Sequence, residues 1–416
     1  MTILVITNTP LLTLTNGYDS RVLGLCRALS AHEKLVLLVL KVSPRLTLGE
    51  AQTGEDLIFS DTFASISLAD ARSFPWRHFR LSEDRFFSWG YPSFQSSVED
   101  QINHICNAQD IHKIIVFGSN LVGLTRQLRP ARRMLLDVCD SVSLTVEREI
   151  SIADKRKITL DRLKKWLSLM RWRQLEGKSP QWFDHVVTIN QNDTDKIRKL
   201  SGGRQNLSTI PNGVDPMFEH AYQEGPCMRR GVAFWGNLSF SPNQVAVQYF
   251  YREVYVPYLK PAGIEWCVIG RDPDPVLIEA AAKDSNLRLL GFVDDLRESA
   301  IDYPIMVNPM LSGSGLKNKV LEASAMGLAV VSTALGMESI DGAIAGETYM
   351  LADSPEQFFG AVLALLESER KRVEIIRAAR RLMLSKYTWE IVGTQWVRLV
   401  DSVFSFDAAK YIKSGE

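Results

Sequence analysis

The sequence predicts an α/β protein of two doubly wound, Rossmann-like domains. Three observations carry this. The chain has 416 residues, and single cores stop growing near roughly 250–300. Apolar, β-branched runs alternate with helical patterns, as parallel sheets require. The alternation then restarts half-way, at "GVAFWGN" from Gly231.

In the first half, "ILVITN" (Ile3–Asn8) reads as a buried strand. A helix is expected from about Tyr18 to Ala31, where "RVLGLCRAL" is apolar at helical spacing. "KLVLLVLKV", "KIIVFG", "RMLLDV", "HVVTIN" and "LSTIPNGVD" read as further strands, and residues 143–177 as a long helical stretch. Residues 45–100 mix Phe, Trp and Ser and give no assignment. In the second half, "IEWCVIG", "LRLLGFV", "PIMVNPM" and "LAVVST" are continuous apolar runs suited to strands buried on both faces. "PNGVD" (Pro211–Asp215) is turn-rich and marks the hinge. The C-terminal stretch carries Trp389, Ile391, Val392, Trp396, Leu399 and Val400 on one helical face.

Composition narrows the class. Lys plus Arg equals Asp plus Glu at 48 each, so overall charge gives no reason to expect nucleic acid. The five cysteines are scattered, without a CxxC pair, as in reduced cytoplasmic proteins. "MTILVITNTPLL" reads as a first strand, not a signal peptide. No run of 18 apolar residues suggests a membrane span. P-loop, GxGxxG, HExxH and nucleophile-elbow patterns are absent, which disfavours NTPase, dinucleotide, metallohydrolase and esterase readings.

Ligands of open parallel sheets lie at the carboxyl ends of the strands. That rule selects the loops "GNLSFSPN", "GRDPDP", "GFVDDL" and "MLSGSGLKNK". Arg271 follows Gly270, and Lys317 and Lys319 fall where a helix should begin. Cations at a helix N-terminus are disfavoured by about 0.3–1 kcal/mol. Their presence suggests that an anion arrives with a ligand, and a diphosphate fits helix-start N–H groups, a small-residue loop and flexible cations. Glu322, about one and a half turns into that helix, suits a vicinal diol such as ribose.

The blocks "IPNGVDPMF", "FWGNLSFSPNQVAVQYF", "VIGRDPDP", "GFVDDLRE", "VNPMLSGSGLKNKVLEASAMGLAVVST" and "LGMESI" follow in an order that resembles the GT-B glycosyltransferases, specifically the family-4-like (group 1) retaining enzymes. The resemblance implies two Rossmann-like domains facing a central cleft. Residues 1–212 would be the acceptor-side domain, with the helix of about 388–416 packing back on it, and 213–387 the nucleotide-sugar domain. It implies sugar transfer from a nucleotide diphosphate sugar to an acceptor hydroxyl of a glycan, lipid-linked or small-molecule acceptor, with retention and no essential metal or other cofactor. In that family Glu322 matches the acidic residue that holds the ribose, and Phe292 and Val293 the loop that flanks the base. Ser314, Gly315 and Leu316 match the loop under the donor sugar and phosphates, and Gly17 a first-domain glycine facing the donor. Gly236 ends the first strand of the second domain, and Asn237 stands where the family has an Arg. Ser314 replaces the family's first acidic residue, eight positions before Glu322. Arg271, Lys317 and Lys319 are then the candidate cations, and Asp137 and Asp140 the candidates near the reacting carbon. Two other readings share the donor corner: a GT-B sugar-nucleotide epimerase and a non-catalytic sugar-nucleotide-binding scaffold.

One local charge excess stands out. Residues 155–175, "KRKITLDRLKKWLSLMRWRQL", hold eight Lys or Arg against Asp161 alone. Leu160, Leu163, Leu167 and Met170 recur at helical spacing, with Trp166 and Trp172 as aromatic anchors. Such a helix suits peripheral contact with an anionic membrane at its cytoplasmic face, or packing of its apolar stripe on the first sheet with the basic residues in water.

Overall fold

The computed structural model describes residues 2–8, 17–41, 64–67, 92–152, 160–222 and 231–405. The chain divides into two units. The first comprises residues 1–143, 166–211 and 392–416, and the second residues 144–165 and 212–391. Both are built on all-parallel sheets with covering helices, as Rossmann-like domains are.

The first unit contains a seven-stranded sheet in the order β3-β2-β1-β4-β5-β6-β7. Its strands are β1 (Thr2–Thr7), β2 (Lys34–Lys41), β3 (Ala64–Ser67), β4 (Lys113–Phe117), β5 (Arg133–Cys139), β6 (His185–Thr188) and β7 (Leu207–Thr209). β3 falls in the stretch that gave no sequence assignment; four residues, "ASIS", are too short for periodicity to register. The sheet winds outward from β1 and returns at β4, so its switch point lies between those strands.

Helix α1 (Gly17–Ser30) buries Val22, Leu25, Cys26 and Leu29 at three- and four-residue intervals. Asp19 in its first turn and Arg27 in its last complement the helix dipole. The long helical stretch expected at 143–177 is two helices, α2 (Val142–Ile152) and α3 (Leu160–Trp182), while 153–159 lie outside the described residues. The C-terminal helix (Trp389–Ser405) packs on this unit. Trp396 is fully buried 6.1 Å from the Phe117 ring, and a Cβ on Gly393 would stand 2.8 Å from that of Ala28.

The unit is pinned by a buried ion pair. Arg21 and Asp137 are both inaccessible to solvent, with Nη2 2.6 Å from Oδ2 and Nε 2.9 Å from Oδ1. Arg21 Nη1 also donates to the carbonyls of Ile210 and Pro211. One side chain of α1 thereby ties together the end of β5 and the chain leaving β7. The Asp137 carboxylate also accepts from the backbone N–H of Cys139, whose φ of 62° lies at a bulge in β5. Asp137 is therefore a structural counter-ion. The sequence-based candidacy of Asp137 near the reacting carbon is corrected by its burial.

Among the described residues the second unit has six strands, β10-β9-β8-β11-β12-β13. They are β8 (Gly231–Trp235), β9 (Glu265–Ile269), β10 (Leu287–Gly291), β11 (Ile305–Asn308), β12 (Ala329–Ser332) and β13 (Met350–Leu351). The two-residue edge strand β13 carries no sequence signature of its own. The switch point lies between β8 and β11. Helix α4 (Ser241–Tyr249) follows β8, and helix α5 (Asn318–Met326) follows β11. Gly327 ends α5 in the left-handed conformation, with φ 84°.

Removing one partner of a buried ion pair strands the other charge, at a cost of about 3–5 kcal/mol. Arg21→Met should therefore lower the urea midpoint of the first unit's transition. Adding Asp137→Leu should restore much of the loss, because the stranded carboxylate is then gone. Equal midpoints for wild type and Arg21→Met would contradict this account of the pair.

Candidate functional site

In the second unit, three adjacent strands end in close-packed backbone. The N–H of Gly236 donates to the Ile269 carbonyl at 3.0 Å, and that of Gly270 to the Gly291 carbonyl at 2.7 Å. A Cβ on Gly270 would fall 1.9 Å from the Gly236 carbonyl oxygen, so this crossing admits only glycine. Arg271 follows; its carbonyl accepts from Leu238 N–H at 3.1 Å, which holds it beside the β8–α4 loop. Phe292, just past β10, is 71% exposed, and Val293 beside it packs partly against the core.

The start of α5 completes the corner. Lys317 is the N-cap residue, it makes no side-chain cap, and the first turn holds no acidic residue. Its buried ammonium turns back onto the loop, donating to the carbonyls of Ser314 at 2.6 Å and Gly315 at 3.2 Å. Lys319 Nζ donates to Asn243 Oδ1 at 2.8 Å and lies 4.1 Å from the centroid of the Phe234 ring. It also lies 3.2 Å from where Gly236 would carry a Cβ. Gly236 thus leaves room for this amine at the end of β8. Burial and the neighbouring Lys317 push the Lys319 amine down to about 7.

Glu322 faces the same corner. Its Oε2 accepts from Trp235 Nε1 at 2.7 Å. Oε1 accepts no hydrogen bond among the described residues and remains available to a ligand. Burial pushes this carboxyl above the usual range, against the opposing pull of Trp235 and Lys319.

The loop 313–315 is held by residues that sequence reasoning missed. Ser314 N–H donates to Thr145 Oγ1 at 3.0 Å, and the two hydroxyls lie 2.6 Å apart. Arg148 donates to the Gly313 carbonyl at 2.6 Å and grips Glu338 with two bonds, of 2.5 and 2.9 Å. Leu316 packs partly against the core. The side chain of Asn237 serves its own turn, accepting from the Ser239 N–H and hydroxyl. Asn243, not Asn237, meets the amine of Lys319. The strand-end rule does reach Asn243, in the first turn after the β8 loop. Nothing in the sequence links Thr145 and Arg148 to a loop some 170 positions away.

In the first unit, Gly17 opens α1, and the Tyr18 hydroxyl donates to the Phe117 carbonyl at 2.8 Å. Asp140 lies in the bend between β5 and α2, half-buried. A buried carboxylate fixes that bend: Glu176 accepts from Ser143 N–H at 3.0 Å and from the Ser141 hydroxyl at 2.8 Å. A carboxylate at a helix N-terminus is favoured by the dipole. Burial pushes the Cys139 thiol well up, which makes it a poor nucleophile.

Residues 229–368 match the family described as Glycosyl transferases group 1. Over that stretch the chain is similar to group 1 glycosyltransferases. No curated protein sequence matches the chain. Among solved structures, this chain is similar to sucrose-phosphate synthase from Thermosynechococcus elongatus, with a TM-score of 0.70, 15% identity, and 98% of this chain and 100% of that one covered. It is also similar to Anabaena HepE in complex with UDP-glucose, with a TM-score of 0.64 and 12% identity over 97% and 100% of the two chains. A third similarity, to S. aureus TarM in complex with Fondaparinux, alpha-GlcNAc-glycerol and UDP, has a TM-score of 0.52 and 13% identity over 69% and 55%. At these identities the structures speak for the fold of this chain, that of the GT-B transferases.

The raised Glu322 carboxyl makes the stability of the protein depend on pH. A group whose folded value is raised is most stabilising when protonated, and that contribution is lost as pH rises through the folded value. Glu322→Gln keeps an acceptor for Trp235 but carries no charge. It should raise the melting temperature at pH 7.5, and the gain should shrink as pH falls toward the ordinary carboxylate range. A variant less stable than wild type at pH 7.5 would contradict the assignment.

Proposed function

We propose that the glycosyltransferase takes its sugar from a nucleotide diphosphate sugar and transfers it, with retention, to a hydroxyl of a glycan or lipid-linked acceptor. The observation that carries this reading is the α5 corner: Lys317, Lys319 and Glu322 within two turns of one helix, against glycine-lined strand ends. A diphosphate there meets helix-start N–H groups and two cations. The ribose diol meets Glu322 Oε1, and Phe292 and Val293 flank the base. HepE with UDP-glucose supports a uridine donor, and TarM with UDP supports it independently.

In the proposed step the bond from the anomeric carbon to the phosphate oxygen breaks, and the acceptor oxygen bonds to that carbon. The acceptor proton passes to the leaving phosphate oxygen. Lys317, Arg271 and the helix N-terminus stabilise charge as it develops on the diphosphate. The reading needs no metal, since these groups carry the electrostatic work. Asp140, in the first unit, is the side chain proposed to act near the reacting carbon.

The proposal includes contact of α3 with an anionic membrane. Leu160, Leu163, Trp166, Leu167 and Met170 are 44–69% exposed, whereas Leu169, Trp172 and Leu175 are buried. Trp172 therefore belongs to the core, which corrects its expected role as an anchor. At 3.6 residues per turn the five exposed side chains share an arc of about 120°. Arg162 and Arg173 border one edge of that arc, and Lys164 and Arg171 the other. Basic residues near an anionic surface contribute about 1 kcal/mol each. Among the described residues no helix is long and apolar enough to cross a membrane.

Two measurements test the proposal. Glu322→Ala should weaken UDP binding by about 1.5–3 kcal/mol, the worth of hydrogen bonds to a charged group, in calorimetric titration. Undiminished affinity would remove Glu322 from the ribose. Wild type should co-sediment with phosphatidylserine vesicles at low salt and less at high salt. Trp166→Glu and Lys164→Glu should each reduce binding; equal binding to neutral vesicles would overturn the membrane contact.

A further inference from the structure

The amine of Lys319 has an unusual electrostatic setting. It is held by one amide oxygen, that of Asn243, and by the face of the Phe234 ring. No carboxylate lies within salt-bridge distance of it among the described residues. It belongs to the first turn of α5, where the helix dipole opposes a cation. The charged groups facing it are Lys317, which repels it, and Glu322, which attracts it. Glu322 is itself bonded to Trp235 and, through burial, reluctant to ionise. Among the neighbouring elements, β8 presents Phe234 and Trp235 and α4 presents Asn243, all uncharged. A strongly hydrated ammonium is thus taken partly out of water without a full counter-ion, which favours the neutral amine.

We propose that the diphosphate of the donor supplies this missing counter-ion, so that donor binding takes up one proton at Lys319. The inference rests on the donor reading above and adds a thermodynamic consequence to it. The α5 N-terminus, costly to Lys319 in the free protein, becomes favourable to both partners once an anion sits between them. In the free protein the amine titrates at about 7. The bound anion raises that value, so between the two values binding and protonation are coupled. Affinity then falls as pH rises, by up to tenfold per unit. The amine therefore couples donor affinity to the pH around the enzyme within the neutral range.

Calorimetric titration with UDP at pH 8 tests this, because the phosphate groups are then fully ionised and contribute no proton of their own, their second pKa being about 6. Titrations in three buffers of different ionisation enthalpy give the number of protons exchanged. Wild type should take up a large fraction of one proton, since an amine held largely neutral at this pH becomes charged on binding, as linkage requires. UDP affinity should also drop between pH 8 and 9. Lys319→Arg, whose guanidinium is always charged, should show almost no uptake. UDP binding without proton uptake, or full uptake retained in Lys319→Arg, would overturn the coupling and leave the donor reading intact. If that variant does not fold, wild type still decides: no uptake and a flat affinity between pH 8 and 9 would overturn it. Failure of wild type to bind UDP at any pH would overturn both.

Discussion

The second unit is organised around cations set at the positive end of a helix dipole. Two lysines occupy the start of α5, where the helix dipole, burial and mutual repulsion all oppose them. The surroundings are shaped to permit this. Gly236 has no side chain where Lys319 needs space, and the loop 313–315 turns its carbonyls onto Lys317. The crossing of Gly236 and Gly270 brings two strand ends into backbone contact beside them. Each makes sense when a diphosphate occupies the corner. Local rules broken together at one place are the usual mark of a functional site.

The first unit uses the opposite device. Its buried cation, Arg21, is fully matched by Asp137 and by two backbone carbonyls. Glu176 likewise has its carboxylate met by two serines at the start of α2. These groups fix the ends of β5 and β7 and the bend that carries Asp140. A satisfied buried charge specifies geometry; an unsatisfied one awaits a ligand. The two kinds of residue look alike in the sequence and differ only in their partners.

That difference explains what was legible beforehand. The parallel sheets were readable because continuous apolar runs such as "KIIVF" and "AVVS" leave few alternatives. The α5 corner was readable because "SGSGLKNKVLEA" concentrates loop, cations and carboxylate in one stretch. Asp137 was misread because its partner, Arg21, lies 116 positions away. Thr145, Arg148 and Trp235 were missed for the same reason: their partners, Ser314, Gly313 and Glu322, are distant in sequence. Lys319, two positions after Lys317 on the helix, diverges from it toward Asn243 and the end of β8, and so remains in the corner. Trp172 matched the amphipathic pattern yet faces the core, since periodicity cannot say which stripe of a helix is covered.

The central claim is that the α5 corner holds the donor's diphosphate, and a crystal structure of the enzyme with UDP tests it most directly. The account predicts β-phosphate oxygens within hydrogen-bond distance of Lys319 Nζ and of backbone N–H groups at the start of α5, with the ribose hydroxyls on Glu322. UDP bound with its phosphates remote from α5, and with Glu322 bonded to Trp235 alone, would contradict it.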